Sequence, residues 1–375
     1  MGRLARSTLF AVLCVVAGCS EQGAEDVGAD EDAIRVDTSS PEARRQYDAN
    51  VAFASSYTSR CLRGVSAWLR PRVLVTGFGR FLSIDDNATG RIVSALVPEA
   101  RYPETERPPP GKIDPPEPQL SVGVTTLEVP GIGPVDVCGM ILPVYWDLAA
   151  ILVAKEIEAL RPSFVLMNGV AGPRQPLWIE LGATNRATRT ADGSSRLVPL
   201  VEAGDEWAKI VEDAPPSEEQ QGNLLSWRAV EAAALAAIDR HADAVDGDAR
   251  FDAIVRGVKL AGFPRASNTY LCNNVTYVTG WLMNHPGSEV SLLRASTPVA
   301  GARNEVRVSI EADLRAVPRV FVHWPSDLAD RHHDAAADVM RSIIAAQLRA
   351  SATDDVPTIG DNALAAPGLE GGDFF

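Results

Sequence analysis

Positive charge and long apolar runs are both scarce in this sequence, and each scarcity argues against a class of protein. The chain has 35 Lys and Arg against 49 Asp and Glu, which gives a formal net charge of −14. Proteins that bind the phosphate backbone of nucleic acids need a cationic face, so this balance argues against nucleic acid as a partner. The apolar run over residues 9–17 is too short to cross a bilayer, and no other stretch reaches the ~18 apolar residues that a spanning helix needs.

The N-terminus is nevertheless typical of an export signal. Arg3 and Arg6 precede the apolar run, which ends in small residues followed by Cys19. This pattern resembles the lipobox of bacterial lipoproteins, in which the cysteine is acylated and becomes the new N-terminus. We therefore expect lipid attachment at Cys19 and a place in the cell envelope, at the outer membrane more than the inner one because Ser20 is not Asp. The alternative is an ordinary signal peptide or a buried apolar start.

Cysteine is also sparse, with five residues in the whole chain. Cys14 would leave with the signal and Cys19 would carry lipid. Three would remain in the mature chain, namely Cys61, Cys138 and Cys272. An oxidising compartment favours pairing two of them, and Cys61 with Cys138 is the natural pair if Cys272 stays a thiol. Three buried free cysteines are the alternative.

Apolar strand-like runs alternate with helical patterns along most of the chain. This alternation predicts an α/β fold, a three-layer α/β/α sandwich with a central, mostly parallel twisted sheet. The predicted strands cover residues 72–78, 122–129, 135–144, 163–169, 251–260 and 319–323. The predicted helices cover 44–69, 87–96, 146–160, 224–241, 272–283 and 334–348.

We predict a single domain over residues 46–350. Residues 20–45 are rich in Glu, Asp, Ala and Gly and are interpreted as a flexible tether, and residues 351–375 as a disordered acidic tail. Polar or proline-rich insertions are predicted near residues 103–118, 188–222 and 286–316.

Three segments carry residues that could perform chemistry, and each follows an apolar strand. In open α/β sheets ligands bind where such strands end, so these segments are expected to converge. The first is Val75-Thr-Gly-Phe-Gly-Arg-Phe81, in which Phe78 and Phe81 offer flat apolar walls. Taken alone, these phenylalanines are equally explained as core residues. The segment lacks the pattern of a phosphate-binding loop.

The second and third segments hold ionisable residues. Gly169-Val-Ala-Gly-Pro-Arg174 leads to Glu180, a carboxylate that could orient an imidazole or could simply be an ion-paired residue. Cys272 lies at the start of a predicted helix, whose positive end stabilises a thiolate. His323 follows in a late apolar strand. From spacing alone, a cysteine and a histidine placed like these are more often an inert buried thiol and a core histidine.

Together these segments resemble the signatures of the pyroglutamyl peptidases (pyrrolidone-carboxylate peptidases). That family has Val-Thr-Gly-Phe-x-x-Phe after a strand, Gly-x-Ala-Gly-x-Arg before a run containing Glu and Asn, a Gly-Thr-Phe/Tyr-x-Cys-Asn segment, and a hydrophobic-His-x-Pro strand. In this chain Asn268 stands in place of the glycine of the third motif. The resemblance runs in order from about residue 72 to 348. The matching residues are Thr76, Gly77, Phe78, Phe81, Ala171, Gly172, Arg174, Glu180, Asn185, Thr269, Tyr270, Cys272, Asn273, His323 and Pro325.

The resemblance implies a cysteine peptidase that removes N-terminal pyroglutamate from peptides through an acyl-enzyme. It assigns Cys272 as nucleophile, His323 as general base and then acid, and Glu180 as the group that orients His323. It implies no metal and no cofactor. The oligomeric state stays open.

The resemblance also implies substrate-binding roles. Phe78 and Phe81 match the aromatic residues that hold the flat ring, and Arg189 matches an arginine near the oxyanion after a one-residue gap. Val170 and Asn274 depart from the family, which has Gln and His at these places. A related amidase or aminopeptidase with altered specificity, or a catalytically silent peptide-binding lipoprotein, are therefore the alternatives.

Overall fold

A seven-stranded mixed sheet forms the centre of the molecule. The computed structural model describes residues 31–64, 70–82, 84–246, 249–264 and 269–350. The strands of this sheet are β1 (Arg72–Phe78), β2 (Ser121–Val129), β3 (Gly133–Leu142), β4 (Phe164–Ala171), β5 (Leu177–Glu180), β6 (Val258–Ala261) and β7 (Arg319–Pro325). Their spatial order is β6-β5-β7-β4-β1-β3-β2.

Most neighbours in this sheet are parallel, as the sequence predicts. Strands β3, β1, β4 and β7 run in one direction. Strand β2 is an antiparallel edge beside β3, while β5 and β6 run parallel to each other and antiparallel to β7. The carboxyl ends of β1, β4 and β7 therefore meet at one edge of the sheet. Strand β4 is buried along its whole length, which explains its continuous apolar run.

Helices cover both faces of the sheet, which confirms the predicted α/β/α layers. Helix α7 contacts α2 and α4 on one face, and helix α3 contacts α1 and α6 on the other. Helix α3 is buried almost throughout because α1 and α6 both pack on it. The helices are α1 (Pro41–Ser56), α2 (Ala88–Leu96), α3 (Leu148–Leu160), α4 (Trp227–Arg240), the short α5 (Phe251–Ile254), α6 (Leu271–Asn284) and α7 (Asp330–Arg349).

The N-terminal segment differs from the expected tether. Residues 31–32 and 35–36 are short strands that pair in parallel with strands at 289–292 and 294–295. The side chains of Ala33, Ile34 and Val36 are buried, and the predicted tether is thus integrated into the domain from residue 31 onward. Residues 1–30 and 351–375, which include Cys19, lie outside the described residues.

Two further features concern the cysteines and the membrane. Cys61 and Cys138 form a disulfide, whereas Cys272 is a free, partly exposed thiol. Among the helices of the described ranges, none combines the length and the apolar character that crossing a bilayer requires.

Candidate active site

Three of the residues singled out from the sequence meet at the carboxyl edge of the sheet. Cys272 is the second residue of α6, His323 lies near the end of β7, and Glu180 is the last residue of β5. The Nδ1 atom of His323 lies 2.9 Å from Oε1 of Glu180. A side-chain hydrogen bond joins His323 to Cys272. The three groups thus form a chain from carboxylate to imidazole to thiol.

The sheet register explains how Glu180 reaches His323. Strand β5 pairs antiparallel with β7 so that Trp178 stands opposite His323. Because side chains alternate across a strand, Glu180 projects from the same face as Trp178 and therefore towards the imidazole. The amide Nδ2 of Asn223 donates a hydrogen bond to the Glu180 carbonyl at 2.8 Å, which holds the end of β5 in place.

Glycine at position 169 makes room for the sulfur of Cys272. Gly169 is the register partner of His323 on β4. A Cβ atom there would lie 2.8 Å from Sγ of Cys272 and 2.8 Å from the ring of Phe321. Such distances are too short for unstrained packing, so a glycine at this place allows the sulfur to lie against the backbone of β4. The sequence analysis named Gly169 only as the first residue of the second segment, and the structure shows why a side chain is excluded there.

The start of α6 presents backbone donors beside the sulfur. The first N–H groups of a helix have no intrahelical acceptor, and Tyr270, which precedes α6, makes no side-chain cap. The side chain of Asn273 fixes this helix start to the chain that follows β5. Its Oδ1 accepts from the Thr184 N–H at 2.9 Å, and its Nδ2 donates to the carbonyls of Thr184 and Arg186 at 2.8 and 2.7 Å.

The imidazole is buried, yet its surroundings favour the protonated form. Burial lowers the pKa of His323, but the charge of Glu180 and hydrogen bonds to Cys272 and Glu180 outweigh burial and raise the pKa to about 10. Oε2 of Glu180 is buried and has no hydrogen-bond partner among the described residues, so His323 is the group that balances this carboxylate. An imidazolium beside a thiol is the arrangement that stabilises a thiolate.

A small pocket opens next to Cys272. Its cavity volume is about 10 Å³, room for about one water molecule, and its lining is mostly apolar. We call it the acyl pocket; its lining residues are Phe78, Phe81, Asn87, Val144, Val170, Tyr270, Leu271 and Cys272. Both phenylalanines expected from the sequence are present, each at most 5% exposed. The sequence assigned no pocket role to Val144, which stands just beyond β3 with no motif to mark it, nor to Tyr270, although Tyr270 belongs to the cysteine segment.

Arg189, the third predicted binding residue, is exposed on the turn after Thr188. Its charge acts on Asp37, whose pKa is lowered chiefly by hydrogen bonds to Ser39 and in smaller part by Arg189. Its link to an oxyanion therefore stays a prediction.

No protein-family model and no curated protein matches this chain. Among solved structures, the fold resembles pyroglutamyl peptidase I of Bacillus amyloliquefaciens, with 13% identity, a TM-score of 0.43, and coverage of 74% of this chain and 97% of the other. It also resembles the pyrrolidone carboxyl peptidase of Thermococcus litoralis, with 18% identity, a TM-score of 0.43, and coverage of 74% and 93%. A third similar structure is a mutant pyrrolidone carboxyl peptidase from Pyrococcus furiosus. Its identity to this chain is 17% and the TM-score is 0.42, with coverage of 74% of this chain and 98% of the other.

Proposed function

We propose that this protein is a cysteine peptidase that removes an N-terminal pyroglutamyl residue from peptides. The observation that carries the proposal is the chain Glu180–His323–Cys272 at the mouth of an apolar pocket with aromatic walls. An activated nucleophile beside a base, with the base oriented by a third group, is the arrangement that nucleophilic catalysis requires.

The reaction follows from these positions. The Cys272 thiolate attacks the carbonyl carbon that follows the ring, a C–S bond forms, and the carbonyl oxygen becomes an oxyanion. Backbone N–H groups at the start of α6, including that of Cys272, are the nearest donors to stabilise this charge. The C–N bond then breaks while His323 donates its proton to the leaving amine. A water molecule, deprotonated by His323, attacks the thioester carbonyl. The C–S bond then breaks, free pyroglutamate leaves, and the Cys272 thiolate is restored beside the protonated His323.

The acyl pocket favours a neutral acyl group over a charged one. Its walls include Phe78, Phe81 and Val170, which offer no carboxylate to balance an ammonium group. Placing a charge among such walls costs far more than placing a neutral group there. Pyroglutamate is a flat, neutral lactam, whereas an ordinary N-terminal residue carries a free ammonium group. The blocked residue is therefore the better fit.

One observation keeps a second candidate function open. Val170 lines the pocket where the pyroglutamyl peptidases have a polar Gln. A ring carbonyl would lose that side-chain partner here, while an apolar acyl group would lose nothing. A related cysteine amidase for other neutral acyl groups is thus the alternative.

The two cysteines outside the site bear on where the reaction takes place. Disulfides persist in exported proteins and are rare in reducing cytosol, so the bond between Cys61 and Cys138 supports export. We infer that the protein is exported and lipid-anchored through Cys19 in the cell envelope, where it would meet its peptide substrates.

The test is hydrolysis of a pyroglutamyl-coumarin amide by the purified chain with its free thiol reduced. Cys272→Ser is the matched variant, and a prolyl-coumarin amide, with the same ring size but a charged amine, is the matched substrate. We expect the parent to release coumarin from the pyroglutamyl amide alone and the variant to release none. A folded parent that ignores the pyroglutamyl amide but cleaves other neutral acyl amides would favour the second candidate.

A further inference from the structure

Residues 188–193, which we call the wall segment, form the outer support of the acyl pocket. The hydroxyl of Tyr270 donates a hydrogen bond to the carbonyl of Ala191 at 2.7 Å. The indole Nε1 of Trp146 donates to the carbonyl of Thr190 at 2.9 Å. Trp146 in turn meets Tyr270 edge-on, with 5.3 Å between ring centroids. The orientation of the Tyr270 ring is thus fixed by the wall segment and by Trp146 together.

Gly193 joins the same segment to the opposite wall. Its N–H donates to the carbonyl of Val144 at 2.7 Å. A Cβ atom at this position would lie 2.8 Å from that carbonyl oxygen and 3.4 Å from Cβ of Phe81. The φ angle of Gly193 is not in the left-handed region, so lack of space, and not backbone conformation, explains the glycine. Any side chain here would displace the wall segment or press on Phe81.

The gap between the two aromatic walls is slightly narrower than one flat ring requires. The ring centroids of Phe81 and Tyr270 are 6.4 Å apart, and the ring planes are inclined by 35°. Two stacking contacts between carbon atoms need about 3.5 Å each, so about 7 Å holds a single planar ring. A small opening of the walls admits a flat five-membered lactam. A puckered six-membered ring is thicker and requires a larger displacement.

We propose that the wall segment sets the width of the acyl pocket, with Gly193 and the Tyr270 hydroxyl as positioning groups that restrict it to a flat five-membered ring. The proposal rests on the proposed function for the identity of the substrate. The new proposal goes beyond the proposed function because neither Gly193 nor the Tyr270 hydroxyl needs to touch the reacting atoms. Both act through the aromatic rings that they hold.

The first experiment compares coumarin amides of the five-membered 5-oxoprolyl group and the six-membered 6-oxopipecolyl group. One additional methylene in a fitted pocket is discriminated by roughly 10-fold or more, and we expect this preference in the parent. Tyr270→Phe removes the bond to Ala191 and should reduce the preference several-fold. Gly193→Ala should raise KM for the five-membered substrate by about 10-fold with a much smaller change in kcat. Gly222→Ala is the matched control, because a Cβ atom there meets nothing within 4 Å.

The second experiment reads the pocket without hydrolysis. Free 2-pyrrolidone and its six-membered homologue 2-piperidone are tested for protection of Cys272 against iodoacetamide, with 2-pyrrolidone expected to protect better. If 2-pyrrolidone protects Cys272 better than 2-piperidone does, and Tyr270→Phe reduces this difference in protection, the inference holds even where no pyroglutamyl amide is hydrolysed. If the parent hydrolyses that amide but neither substitution alters the preference for ring size, the inference is overturned and the proposed function stands. Absence of both hydrolysis and protection overturns both. Tyr270→Phe keeps the test decisive if Gly193→Ala does not fold.

Discussion

At the scale of single residues, the charge state of His323 decides when the site is competent. Its pKa is raised to about 10, so the imidazolium form persists through neutral pH and is lost as the pH rises through that value. The competent form of a thiolate–imidazolium pair needs this proton. The alkaline limit of activity should therefore follow the histidine, and Glu180 is the neighbour whose charge raises its pKa most.

Glu180→Gln should move that alkaline limit to lower pH. The substitution keeps the size of the side chain but removes the negative charge. Burial still lowers the pKa of His323 and is no longer opposed by that charge, so the pKa of His323 should fall. We expect kcat/KM to fall and its high-pH limb to shift by at least about one pH unit, which corresponds to ~1.4 kcal/mol of lost interaction. The measurement is the pH dependence of pyroglutamyl-coumarin hydrolysis, or of Cys272 alkylation.

Glu128→Gln is the matched control, since Glu128 is exposed on the edge strand β2. Its profile should superimpose on that of the parent. An unchanged alkaline limb in Glu180→Gln would contradict the role of Glu180 as the charge that holds the proton on His323.

The sequence identified the candidate residues with distinctive side-chain chemistry but not the residues that matter only through packing. Cys272, His323 and Glu180 could be singled out because few residue types serve as nucleophile, base and orienting acid. Val144 and Gly193 carry no reactive group. Their importance comes from distances to residues far away in the chain, which no local pattern contains.

At the scale of elements, one buried ion pair attaches the proline-rich segment 103–118 to the end of β1. Arg80 and Asp114 are 2.7 Å apart, with both side chains only 3% exposed. Gln119 also donates to the Asp114 carboxylate at 2.8 Å. Since Arg80 adjoins Phe81, this pair connects the segment to a wall of the acyl pocket.

Asp114→Ala should destabilise the protein by about 3–5 kcal/mol, because it leaves the Arg80 guanidinium buried without its countercharge. The double variant Arg80→Met/Asp114→Leu removes both charges and should recover much of the loss. Urea unfolding measures both. Asp313→Ala is the matched control: Asp313 pairs with Arg315 at the same 2.7 Å, but both side chains are 62% exposed.

The exposed pair should contribute much less than the buried pair, because water and salt screen its charges. Equal losses in Asp114→Ala and Asp313→Ala would contradict the claim that burial makes the inner pair important. A double variant no more stable than Asp114→Ala would show that the contacts of Arg80 matter more than its charge.

Elements with a strong local pattern were predictable, and elements with a mixed pattern were not. The prediction for β1 is correct at both ends, and α2 begins where Asn87 caps it by accepting from the Thr89 N–H. The predicted strand over 251–260 was wrong in its first half. Phe251, Ile254 and Val255 follow helical spacing, and the structure has the short α5 there before Gly257 turns the chain into β6.

At the scale of the whole molecule, segments that are far apart in the sequence pair with one another. The N-terminal strand at 35–36 is paired by 294–295, more than two hundred residues later. Composition suggested a tether over 20–45 because the partner strands that bury its few apolar side chains lie so far away. The predicted insertion near 286–316 thus serves partly to hold the N-terminus.

The disulfide between Cys61 and Cys138 is a second long-range connection, and its effect should be on stability and not on catalysis. It closes a loop with a sequence separation of 77 residues. Restricting the unfolded chain by a loop of this size is worth about 4 kcal/mol in the chain-entropy model. Cys138 lies in β3 four residues before its carboxyl end, roughly 13 Å from the edge where Cys272 acts.

The double variant Cys61→Ala/Cys138→Ala should therefore unfold at a lower urea concentration yet keep its kcat/KM below that transition. Dithiothreitol gives the internal control, since it should lower the midpoint of the parent towards that of the variant and leave the variant unchanged. The same reductant keeps Cys272 as a thiol, so the parent should lose stability without losing kcat/KM. A variant that loses kcat/KM while still folded would mean that the disulfide positions the site, and a variant with an unchanged midpoint would mean that the sheet alone suffices.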